Sequence, residues 1–95
     1  MNDDDTVFVG TKPVNSYVLA VTSQFEGGSS KVVIKARGKA ISKAVDVAEI
    51  VRRRYVRDAM VADIAIGTEE ITSEDGRTLR VSSMTIVLAR QAYMM

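Results

Sequence analysis

The stretch Lys31-Val32-Val33-Ile34-Lys35-Ala36-Arg37-Gly38-Lys39-Ala40-Ile41-Ser42-Lys43-Ala44-Val45 changes its hydrophobic period half-way along, and that change decides the fold. Lys31 to Lys35, with Val32-Val33-Ile34 at its centre, is a short β-branched run bounded by charge, the pattern of a buried strand. From about Ala40 to Arg57 the period becomes helical, and Ile41, Ala44, Val45, Ala48, Val51 and Tyr55 form one apolar stripe. Arg37-Gly38-Lys39 is the basic connection between the two. Val47 and Ile50 lie off the stripe, so this helix is apolar on more than one side. A chain of 95 residues offers little to cover both sides, which points to a subunit interface.

Working upstream, Thr6-Val7-Phe8-Val9 reads as a short buried strand ended by Gly10. Pro13 suits the first turn of a helix, where its missing N–H is no loss. Val14, Tyr17, Val18, Val21 and Phe25 then give a stripe of about three turns, closed by Gly27-Gly28-Ser29-Ser30, where either glycine suits a left-handed cap. Downstream, Val61 to Thr72 and Thr78 to Ala92 both read as extended, joined by the turn Ser73-Glu74-Asp75-Gly76. Both faces of the return strand become apolar over residues 84–89 while its tip end is polar, so its later half belongs in the core and its earlier half in solvent. The expected organisation is a tail over 1–5, acidic and mobile, one domain over 6–92, and a short tail over 93–95.

The order β-α-β-α-β-β defines an α/β chain of two layers, a sheet with helices (an α+β sandwich in the broader sense). Two right-handed crossovers make the first three strands parallel and the last antiparallel. Carboxyl ends of parallel strands share one sheet edge. Three features are therefore expected there: Gly10-Thr11-Lys12, Arg37-Gly38-Lys39 and the hairpin tip near residues 73–77. The third strand, about 12 residues at roughly 3.3 Å each, is longer than a small core covers, so its surplus should protrude as an arm.

The net charge of +1 hides segregation along the chain: −3 over residues 1–11, +7 over 12–57, −6 over 58–76 and +3 over 77–95. Helix N-termini ordinarily attract acids. Here both helices are entered through cations, Lys12 before the first and Arg37 with Lys39 before the second, an arrangement that an anion such as a nucleic-acid phosphate completes. Lys35 and Lys43 are weaker candidates beside them. Arg77 and Arg80 on the arm are suited to a DNA groove, although Glu69, Glu70, Glu74 and Asp75 adjoin them. The run Arg52-Arg53-Arg54 with Arg57 spreads around a helix and matches its dipole, with Glu49 one turn before Arg53, so it reads as a solvated helix end.

No Cys and no His occur, which removes disulfides, thiolate zinc sites, cysteine nucleophiles and the commonest general base. Gly38-Lys39-Ala40 lacks the upstream glycine and following hydroxyl of a phosphate loop. Ser42 and Lys43 diverge on their helix, and Glu69 and Glu70 alternate across a strand. No catalytic constellation, cofactor site or metal site is expected. The longest apolar runs fall far short of the ~18 to 20 residues of a membrane helix, and the acidic start is no secretory signal.

Val7-Phe8-Val9-Gly10-Thr11-Lys12-Pro13-Val14, Tyr17-Val18-Leu19-Ala20, the central stretch from Val33 to Asp46, and Ile66-Gly67-Thr68-Glu69-Glu70 together resemble the Alba family of archaeal chromatin proteins. The resemblance covers about residues 6–90. It implies a homodimer with the fold of the C-terminal domain of translation initiation factor three, binding double-stranded DNA without strong sequence preference, and RNA as well. It also implies a cytoplasmic, chromosome-associated (nucleoid) location. The family's first basic loop usually holds two lysines before the proline; Thr11 stands at the first, where an acetylation switch acts elsewhere, and Lys12 at the second. Arg37 and Lys39 match the second basic loop. Tyr55 matches an aromatic with which the family joins dimers side by side. Two alternatives stand beside this: a chaperone mainly for structured RNA, and an assembly module burying Val47 and Ile50 against another protein.

Overall fold

A computed structural model of the chain describes residues 5–91. Strand β1 (Thr6–Phe8), helix α1 (Val14–Glu26), strand β2 (Lys31–Arg37), helix α2 (Ala40–Ile50), strand β3 (Ala59–Thr72) and strand β4 (Thr78–Arg90) follow in chain order, and a π turn, Val51–Tyr55, prolongs α2. The sheet runs β1-β2-β4-β3. Strand β1 pairs parallel to β2, while β4 lies antiparallel to both β2 and β3, so the first three strands share one direction as expected. The last strand lies centrally, between β2 and β3: its Ile86 and Leu88 stand opposite Ile34 and Val32 on one face, and all four are buried. Among the described residues no helix is long and apolar enough to cross a membrane.

Both helices cover one sheet face. Alternation along β2 turns Val32, Ile34 and Ala36 toward them, and Tyr17, Val18, Val21 and Phe25 of α1 meet them from above. Phe25, Val21, Ile34 and Leu88 are among the largest fully buried side chains, each contributing about 1.5–3 kcal/mol of hydrophobic stabilisation. The same alternation corrects one expectation. Phe8, read as part of a buried strand, is 70% exposed, because Val7 and Val9 take the core side of edge strand β1. Of the two glycines after α1, Gly28 takes the positive φ of 112° and Gly27 stays near helical geometry.

In α2 the buried positions are Ala44, Val47 and Ala48, followed by Val51, whereas Val45 and Tyr55 are 42% and 59% exposed. Val47, expected off the stripe, is therefore core, and Ile50 is half-buried. The sequence 44, 47, 48, 51 has the helical spacing as fully as the stripe containing 45, and the sheet selected the former. Buried in the core, Val47 is not available to the subunit interface expected of it. The helix also stops short of Arg57. At the π turn, Val56 N–H donates to the Val51 carbonyl at 2.7 Å, and Val56 takes the buried place that an α-helical period would have given Tyr55.

Strands β3 and β4 stay paired from Ala59 opposite Arg90 out to Thr72 opposite Thr78, with one irregularity between Val61 and Asp63. Most of β3 is exposed, and the molecule measures 47 × 26 × 21 Å, its elongation being this hairpin. Gly76 closes the tip with φ of 87°. Of the expected tails, 1–4 and 93–95 lie outside the described residues, as does Ala92 of the expected last strand; Asp5 accepts a hydrogen bond from the Ser29 hydroxyl at 2.7 Å.

Candidate nucleic-acid interface

The carboxyl ends of β1 and β2 deliver two loops side by side. In the first, the Tyr17 hydroxyl accepts from the backbone N–H of Gly10 at 2.9 Å and of Lys12 at 3.0 Å. From the other side Lys43 Nζ donates to the carbonyls of Gly10 and Lys12, at 3.0 and 2.7 Å. The loop is thus gripped at both N–H and C=O groups, and its Lys12 side chain is left exposed. Burial pushes the Tyr17 phenol up, but the two N–H donors and the Lys43 and Lys12 charges outweigh it and hold the group below its ordinary value.

In the second loop Gly38 adopts φ of 59°, and its N–H donates to the Ser82 carbonyl at 2.8 Å. A Cβ there would approach Val81 to 3.3 Å, so a glycine both turns the chain and lets it dock on β4. Arg37 and Lys39 flank this glycine and are exposed. Neither helix start carries a side-chain cap or a first-turn acid, which leaves N–H donors and partial positive charge unanswered beside three cations.

Lys12, Arg37, Lys39, Lys35 and Lys43 line one open cleft of about 1150 Å³ at this edge, together with Tyr17 and, from the arm, Glu69. The five loop and strand cations expected from the sequence are thus brought together. Their states differ. Among the described residues Lys12, Lys35 and Lys39 form no ion pair, whereas Arg37 pairs with Glu69 at 3.0 Å. Lys43 donates to the carbonyls of the first loop and so holds that loop in place.

The two arm arginines stand apart from the cleft. Arg80 lies opposite Glu70 in the strand register, 3.9 Å from its carboxylate, and Arg77 pairs with Asp75 at 3.0 Å. The Ser73 hydroxyl and the Arg77 side chain both donate to the Asp75 carboxylate and hold it below its ordinary value, so this acid organises the tip. At the other end of the molecule Arg52 and Arg53 both donate to Glu49, as the expected solvated helix end requires. Sequence reasoning missed the Tyr17 and Lys43 grip, since Tyr17 reads as one member of a core stripe. The available signal was a hydroxyl five residues after Lys12 and one helical turn from Pro13.

The family profile of Alba matches residues 5–68. The chain is also 58% identical over 88 residues to "DNA/RNA-binding protein Alba 1" of Archaeoglobus fulgidus, spanning 93% of this chain and 98% of the relative. The chain belongs to the Alba family. Its structure superposes on that of Alba from Thermoplasma volcanium with a TM-score of 0.85 at 50% identity, covering 90% of this chain and 99% of that one. Alba1 from Trypanosoma brucei, at 21% identity, shares the fold with a TM-score of 0.76 over 95% of this chain and 72% of its own.

Proposed function

We propose that this Alba-family chain is a chromosomal protein that binds double-stranded DNA without strong sequence preference, coats and compacts it, and also binds RNA. The observation that carries the reading is the convergence of Lys12, Arg37 and Lys39, from two uncapped helix starts, on one edge. The names of its relatives, which include DNA and RNA binding, support it. Phosphate contact by exposed cations supplies affinity, and among the described residues no helix is presented to read base edges in a major groove, so discrimination among sequences is weak. Arg77 and Arg80 would extend the contact along the arm by exchanging their acid partners for a groove.

The working unit is a homodimer. Val45 on α2 and Ile64 and Ile66 on β3 support this, being 42%, 53% and 79% exposed. By register Ile64 and Ile66 stand beside Ile86 and Met84, on the helix side of the sheet, so the exposed apolar surface is continuous in sense with α2. Tyr55, 59% exposed at the helix end, is the contact between neighbouring dimers on DNA. Parallel titrations of equal-length duplex DNA and duplex or looped RNA test the partner. Comparable or tighter duplex DNA binding is expected, and binding confined to RNA would replace this reading with an RNA chaperone.

A further inference from the structure

The sheet face away from the helices carries an aromatic ring that the fold does not use. Phe8 is 70% exposed on edge strand β1, between the core residues Val7 and Val9. The register sets Phe8, Lys35, Thr85 and Ala65 side by side across all four strands, and Arg37, Ser83 and Gly67 in the next row toward the basic edge. Neighbours in a row lie about 4.8 Å apart and successive rows about two residues, roughly 6.7 Å, apart. Lys35 Nζ lies over the Phe8 ring, 6.0 Å from its centroid, at the outer limit of a cation–π contact. Phe8 and Lys35 also line the basic cleft. The acids of this face, Asp63 and Glu69, are on β3, the edge farthest from Phe8.

A lone exposed apolar side chain is ordinary on protein surfaces. This one is placed otherwise: beside a cation with no ion-pair partner among the described residues, one row from Arg37, on a face whose adjoining positions are small or hydroxyl-bearing. A flat ring flanked by cations and hydroxyls recognises a nucleobase by its π face while the cations hold the adjoining backbone. A duplex hides the faces of its bases, so only an unpaired base can use the ring.

We propose that Phe8 is a stacking platform for an unpaired base of single-stranded nucleic acid, with Lys35 and Arg37 holding its phosphates. The proposal rests on the nucleic-acid reading above and deepens it, giving the protein a single-strand mode that shares Arg37 with the duplex mode of the edge loops and adds the Phe8 ring to it.

The chain contains no Trp, so Phe8→Trp installs a single reporter at the ring while keeping the platform. Its emission is followed during titration with short oligothymidylate, oligouridylate and an equal-length DNA duplex; the affinities of wild type and Phe8→Ala are measured in parallel. Saturable quenching by the single strands is expected, and Phe8→Ala should weaken single-strand binding about 5- to 150-fold while weakening duplex binding far less. The two single strands separate RNA from DNA preference. Emission unchanged at saturation, equal single-strand affinity in Phe8→Ala, or equal losses on duplex and single strand would each overturn the platform. Failure of the wild type on duplex and single strand alike would overturn the nucleic-acid reading itself, and the platform with it.

Discussion

Tyr17 illustrates how a core residue acquires a second task. Its ring is buried among α1 and sheet residues, while its hydroxyl reaches back to the N–H groups of Gly10 and Lys12. Tyr17→Phe keeps the ring and strands both donors, so it should lower stability by about 1–3 kcal/mol in thermal denaturation and weaken duplex binding by loosening Lys12. Unchanged stability and affinity would mean the loop holds itself. Glu69 presents the opposite case, a carboxylate paired with Arg37 at 3.0 Å, which under the proposed reading competes with phosphate for it. An exposed pair of this kind contributes about 0–1 kcal/mol, so Glu69→Gln should raise duplex affinity by up to about fivefold in a gel-shift titration. Weaker binding by that variant would show that Arg37 needs Glu69 for its position.

Helix α2 shows which information a single sequence carries and which it lacks. The helix, the strand before it and the basic turn between them were legible from the period change at Gly38. The rotation of the helix was not, because Ala44-Val47-Ala48-Val51 and the stripe through Val45 and Tyr55 both have helical spacing. Only packing against the sheet chooses between them, and the π turn at Val51–Tyr55 leaves no mark in the residue pattern. Phe8 escaped for a related reason: a three-residue strand, Thr6–Phe8, is too short for alternation to be told from an all-buried run. The basic edge, in contrast, follows from strand direction alone. Val47→Ala should therefore cost about 1.5–3 kcal/mol in denaturant unfolding, and Val45→Ala much less while weakening self-association. At the helix end, hydrogen bonding from Arg52, with the charges of Arg52 and Arg53, outweighs burial and holds Glu49 below its ordinary value of 4.5. Its stabilising contribution is complete above the ordinary carboxylate range and is lost as pH falls through the lowered folded value. An acid titration of Glu49→Gln should lack that part of the loss.

At the scale of the molecule, charge is sorted rather than accumulated. A net +1 chain gathers Lys12, Lys35, Arg37, Lys39 and Lys43 at one edge, while the acids of residues 58–76 follow the arm and its base. Under the proposed reading, binding through that edge is predominantly electrostatic. If about four to six phosphates are neutralised per dimer, log K should fall with log salt at a slope of roughly −4 to −5. A nearly flat response would contradict phosphate contact as the source of affinity. The most direct test of the account is a duplex-DNA gel-shift titration of wild type against the combined Lys12→Ala, Arg37→Ala, Lys39→Ala variant, with oligomeric state followed by light scattering. The account predicts a variant that assembles as the wild type does and has lost duplex binding; a variant of the same oligomeric state that binds duplex as tightly as wild type would contradict it.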